Sequence, residues 1–191
     1  MRRYLLLAIL ILGTVLSPMQ AKAAEIVNAE KMPYALNSAF IDELWRVVVS
    51  AVNDEAVALR VPPDAKAPKL IYEPIQPEGR PEMYAEIEYA YNKSTLEVVL
   101  SRPRVIYLYP RPFAISPALA YGAIAQEFLH EAMLHQEIIP EFQHCLMIGR
   151  GTLAVAMKFI DLRLGTGKLA QKTLHNVTAT QCTDDMLKSS K

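Results

Sequence analysis

Between Glu127 and Cys145 the chain gathers three of its four histidines, His130, His135 and His144, with Glu127, Glu131, Glu137 and Glu141 among them. Imidazoles and carboxylates are the side chains that hold transition metals and move protons near neutral pH. His130-Glu131-Ala132-Met133-Leu134-His135 reads H-E-x-x-x-H. Zinc-binding helices use H-E-x-x-H, where two histidines four residues apart share a face and the glutamate between them acts as base. Here the spacing is one residue longer, which puts the two imidazoles about 140° apart on an ideal helix. A shared ion then requires a π-bulge or break around Ala132–Leu134. Without one, Glu131 and His135 are the pair one turn apart, Glu127 lies a turn earlier on the same ridge, and His130 is offset. Two further readings stay open. Glu127-x-x-His130 and Glu141-x-x-His144 are E-x-x-H pairs of the kind that build carboxylate-bridged metal sites. Alternatively, Glu127, Glu131 and His135 form a solvated helix face and the histidines are structural.

The elements around this stretch are legible from caps and periods. Ser116-Pro117 starts a helix, with serine as cap and proline in the first turn. It is expected to run to about Ile138, where Pro140 interrupts it. Beyond Pro140, Glu141 to Met147 is expected to form a further turn or short helix. Thr152 to Leu164 reads as another helix, closed by Gly165. Upstream, Asn37 or Ser38 caps a helix with an apolar stripe at Ile41, Leu44, Val48 and Val52, broadened by Trp45 and Val49 and extending as far as Leu59. Lys69–Tyr72, between Pro68 and Pro74, suggests an edge strand or a lone extended segment. Tyr84–Tyr91 alternates with a period of two, Asn92-Lys93-Ser94 suits a hairpin turn, and Thr95–Leu100 returns. Arg104–Tyr109 adds another strand. Together these predict an α+β domain: three or four long helices around a small, mostly antiparallel sheet. Arg102, Arg104 and Arg111 cluster at the end of that sheet, as an anion clamp or as a solvated edge that discourages aggregation. Tyr107 and Tyr109 share a strand face and read as packing residues.

Composition sets the compartment and excludes some classes. With 191 residues and 52% hydrophobic side chains the chain fits one folded domain. Its 20 basic and 20 acidic residues balance, which gives no support to a nucleic-acid partner. Arg2 and Arg3 precede an apolar run from Leu5 to Leu16, and Ala21-Lys22-Ala23 fits a signal-peptidase site. Residues 1–23 are therefore expected to be a signal peptide, 24–185 one α+β domain, and 186–191 a flexible tail. The processed chain would be periplasmic or secreted, touching the membrane only through its targeting segment, with 17 basic against 20 acidic residues. In such a compartment Cys145 and Cys182 are expected to form a disulfide. Asn92 and Asn176 begin Asn-x-Ser/Thr sequons, which matter only in a secreted eukaryotic protein.

From Leu36 to Leu164 the order helix, short sheet, histidine-bearing helix, further helix resembles that of minimal zincin-type metalloproteases. His144-Cys145-Leu146-Met147 faintly resembles the third-ligand region of metzincins. The glycine that metzincins carry between their second and third ligands has no counterpart here, where Pro140 stands instead. The resemblance implies zinc held by His130, His135 and His144, with Glu131 as the base. It implies a zinc-dependent peptidase or metallohydrolase of the envelope or secreted fraction. The competing class is a non-enzymatic envelope or secreted protein, structural or an interaction partner. A peptide or an envelope protein is the expected partner.

Overall fold

The computed structural model describes residues 24–56, 59–62, 64–81, 83–88, 104–138 and 140–172, with the side chains of 140–142 excepted. The signal peptide, the hairpin turn at Asn92, the strand at Thr95–Leu100, both sequons, Arg102 and the C-terminal tail lie outside these residues. In chain order the elements are β1 (Ile26–Val27), a 3-10 turn (Ala29–Lys31), α1 (Ser38–Asp54), β2 (Lys69–Tyr72), β3 (Ala85–Glu88), β4 (Val105–Leu108), α2 (Pro110–Ile115), α3 (Pro117–His135), α4 (Pro140–Gly149) and α5 (Thr152–Leu164).

Local chemistry fixes the helix ends. Asn37 Oδ1 accepts from the Phe40 amide at 3.1 Å and starts α1. From the last turn of α1, Asn53 grips Val61 on both sides, donating to its carbonyl at 2.9 Å and accepting from its amide at 2.8 Å. That double bond turns the chain back, so α1 stops at Asp54 and not near Leu59. Ser116 Oγ accepts from the Leu119 amide at 3.2 Å and starts α3. Gly165 closes α5 with φ at 65°, a left-handed conformation that glycine adopts without penalty. Asp161, nearly fully buried, then gathers the following turn through Thr166 Oγ1 at 2.7 Å and the Ala170 amide at 2.9 Å.

The sheet corrects the sequence expectation. Its order is β1-β2-β4-β3, and it is mixed, with two parallel pairs and one antiparallel pair. β2 lies inside it, with Leu70 opposite Ile106 and Tyr72 opposite Leu108 in parallel register. Pro68 and Pro74 flank β2 without entering it, so they remove no donor from the ladder. The antiparallel strand is β3, on the outer side of β4, with Ile87 opposite Ile106. Alternation identifies the face a strand buries but not its partner. A parallel partner is supplied by a distant part of the chain, here across more than thirty residues.

α3 is the central element. Residues on every side of it are buried, from Ala118 to Leu134, because it packs between α1, α5 and the β3–β4 side of the sheet. Alanines 118, 120, 123, 125 and 132 let those neighbours approach closely. Phe128 is fully buried and meets Trp45 edge to face at 5.2 Å between ring centres. Among the described residues no helix is long and apolar enough to cross a membrane.

Candidate functional site

α3 is an unbroken α-helix through His135, with no bulge between His130 and His135. The two histidines therefore point to different sides, and each joins a different polar group.

On one side His130 meets His144 of α4. Their Nε2 atoms stand 3.2 Å apart, with ring centres at 4.6 Å and ring planes at 82°. Gln126, one turn before His130, brings its amide to 3.4 Å from the same His144 nitrogen. Gln143, also on α4, orients His130: its Oε1 lies 2.6 Å from His130 Nδ1, and its Nε2 donates to the Ile138 carbonyl at 2.8 Å. That carbonyl requires the amide NH2, so the oxygen must face His130 and the proton must sit on His130 Nδ1. His130 Nε2 is left as a bare lone pair aimed at His144. Burial, reinforced by the neighbouring His144, pushes the His130 pKa down to about 4. Burial also lowers that of His144. His130 is thus neutral at pH 7.

Glu127 follows Gln126 directly. Its carboxyl is buried, and desolvation pushes its pKa up to about 8. A hydrogen bond from the Ile87 amide on β3 works in the opposite direction, and nearby Glu86 adds to the rise.

On the other side Glu131 accepts from Arg104 Nη1 at 2.7 Å, an ion pair with both side chains more than nine-tenths buried. Its second oxygen lies 3.2 Å from His135 Nε2, and His135 keeps 28% of its side chain exposed. Arg104 Nε is buried and finds no partner among the described residues. Arg104 therefore belongs to the core and not to a solvated edge. Arg111 donates to the Pro81 carbonyl at 2.9 Å and lies over the Tyr84 ring. Tyr107 and Tyr109 do more than pack, since their hydroxyls bond Glu88 at 2.9 Å and Glu86 at 3.2 Å.

One expectation is corrected here. Among the described residues, His130, His135 and His144 included, no three His, Cys, Asp or Glu side chains stand where they could hold a metal ion. Cys145 is buried and disulfide-bonded, and Cys182, its expected partner, lies outside the described residues. The structure brings together His130 and His144 from the expected set. It turns His135 and Glu131 to the Arg104 side. Gln126, Gln143 and Arg104 escaped the sequence reading of the site. One signal for them was present: Gln126-Glu127-Phe128-Leu129-His130 has the i, i+4 geometry of H-E-x-x-H with glutamine in the first place.

Compared with protein-family models, curated proteins and solved structures, the chain matches none.

Proposed function

We propose that the chain is a cation-dependent hydrolase acting on peptides outside the cytoplasm, with Gln126, His130 and His144 as cation ligands and Glu127 as base. The observation that carries this reading is the 3.2 Å approach of the His130 and His144 Nε2 atoms. A bare lone pair on His130 tolerates that approach only with something positive between the nitrogens, either a proton on His144 or a metal ion. Two imidazoles bound to one tetrahedral zinc, each at about 2.0–2.1 Å, hold their nitrogens about 3.3 Å apart. The spacing fits. The bond from His130 Nδ1 to Gln143 is the outer-shell support that fixes a metal-binding tautomer. The donor set differs from the three-histidine set, because its third member is an amide whose oxygen can turn toward the ion.

A divalent cation bound there would supply Lewis acidity and lower the pKa of water beside it. The side chains of this chain do the rest. His130 is held neutral and cannot compete for protons in the physiological range. Glu127, next to Gln126 on α3, is the carboxyl that, once ionised, would take a proton and pass it to a leaving amine. An amide oxygen is a weaker ligand than an imidazole, so we expect looser metal binding than in a three-histidine site.

The test is cleavage of unstructured peptides by mature protein supplied with zinc, read by mass spectrometry. Wild type should cleave, and Glu127→Gln should still bind zinc without cleaving. Zinc binding with no cleavage by wild type would return the chain to the non-enzymatic, interaction-protein reading.

A further inference from the structure

α5 buries one side against α1 and α3 and leaves another bare. Its Leu162 is 73% exposed and its Val155 50%. Seven residues separate them, so they stand within about 20° of one line along the helix. Single exposed leucines are ordinary, but apolar side chains in line beside a groove form a patch. Next to Val155 the surface dips into such a groove, of about 260 Å³, between α1 and α5. Val47 and Ala51 of α1 line it together with Val155, and Asp54, Glu55 and Arg150 line it where α1 ends. At the other end of the face Arg163 is paired with Glu43. α1 and α5 therefore run antiparallel, and each end of the face carries both signs of charge.

We propose that this face joins two copies of the chain in a two-fold dimer, with Leu162 of each copy seated in the α1–α5 groove of the other. A two-fold interface is isologous: where one residue meets a second, the second also meets the first. A protruding leucine and an apolar groove two turns apart on one helix satisfy that condition when the two α5 helices pack antiparallel. The axis then passes between Lys158 and Phe159. Leu162 lies over the partner's Val47, Ala51 and Val155. The Arg163–Glu43 pair approaches the partner's Asp54, Glu55 and Arg150, so Arg163 finds carboxylates and Glu43 finds a guanidinium. Lys158 is turned about 60° from Val155, away from the Arg163 side, and its flexible stem keeps the ammonium in water. Charge favours a second copy over a lipid surface, because Asp54 and Glu55 would repel an anionic membrane. The dimer is independent of the hydrolase reading, since α5 contributes no residue to the His130–His144 group.

The experiment is sedimentation equilibrium of mature protein over a concentration series from micromolar upward. Wild type should sediment as a dimer. Leu162→Glu puts a carboxylate into the partner's groove and should weaken the dimer roughly 30-fold or more. Its circular dichroism should match wild type, because most of that side chain already faces water. Val155→Glu, in the groove itself, should act in the same way, and if either variant fails to fold the other carries the test. Ile75→Glu changes an apolar side chain that is 78% exposed between β2 and β3, and should leave the dimer intact. A monomeric wild type across the series overturns the proposal. So does a dimer that the α5 variants leave unchanged, or that Ile75→Glu weakens as much as they do.

Discussion

Two polar groups sit a few residues apart on α3 and use the same side-chain types, yet they are built on opposite principles. The Arg104–Glu131–His135 group is closed, since a buried cation meets a buried anion at 2.7 Å and the histidine takes the other oxygen. The Gln126–His130–His144 group is open, since Gln126 and His130 both meet His144 Nε2, at 3.4 and 3.2 Å, without any opposite charge among them. Reactive-looking residue types do not make a reactive site. What separates the two is charge: one holds a buried ion pair, the other neutral rings and an amide. Glu131, which the H-E dipeptide singles out, is held by a buried cation, whereas the preceding glutamate, Glu127, meets the Ile87 amide and no cation among the described residues.

The largest expected effect breaks the closed group. Arg104→Leu or Glu131→Leu alone strands a buried charge and should cost roughly 3–5 kcal/mol in denaturant unfolding. The double substitution leaves no charge behind and should recover most of that loss. Single-variant losses below about 1 kcal/mol would show that the pair is solvated in solution.

The open group should respond in affinity. Gln143→Leu removes the bond that holds the His130 tautomer and should weaken zinc binding about 10- to 100-fold, measured against a chelator of known affinity. An unchanged affinity would mean that Gln143 does not support a ligand.

A third contrast is in pH. The Glu127 pKa is raised from 4.5 to about 8 on folding. The folded state therefore holds its proton more tightly than the unfolded state. The stability this contributes is full below 4.5 and is lost as pH rises toward about 8. His130 acts in the opposite sense: its pKa falls from 6.5 to about 4, so stability is lost as pH drops through that window. Glu127→Gln should thus gain on wild type steadily between pH 6 and about 8 in denaturant midpoints. A constant difference across that range would contradict the buried carboxyl. The smallest effect is expected at His135, whose partly exposed pairing with Glu131 should contribute at most about 1 kcal/mol.

Much of the scaffold was legible because its signals are local. Asn37, Ser116-Pro117 and Gly165 mark helix ends through bonds made within a few residues, and the alternation at Tyr84–Tyr91 contains β3. Strand partners were not legible. β1 is two residues long and carries no period, and β2 pairs with β1 and β4 in parallel, which nothing in its own sequence specifies. α2 is six residues long and carries no clear period, and Pro110 and Pro112 stand in its first turn, where the missing amide costs little. At the site, the residue types drew attention to α3, whose unbroken geometry divides them between two faces. Without a bulge the ridge of Glu131 and His135 forms as the spacing requires, and Arg104, just before β4 and 27 residues earlier than Glu131, ties this ridge into a buried ion pair. Gln126 was passed over because glutamine is an uncommon ligand, although its spacing from His130 places both on one face.

The central claim is that the cation site lies on the His130–His144 side of α3 and not across His130 and His135. The most direct measurement is a competitive zinc titration of mature wild type, His144→Ala and His135→Ala. One zinc per chain, lost in His144→Ala and retained in His135→Ala, is the predicted result. No zinc bound by wild type, or binding that disappears with His135, would contradict it.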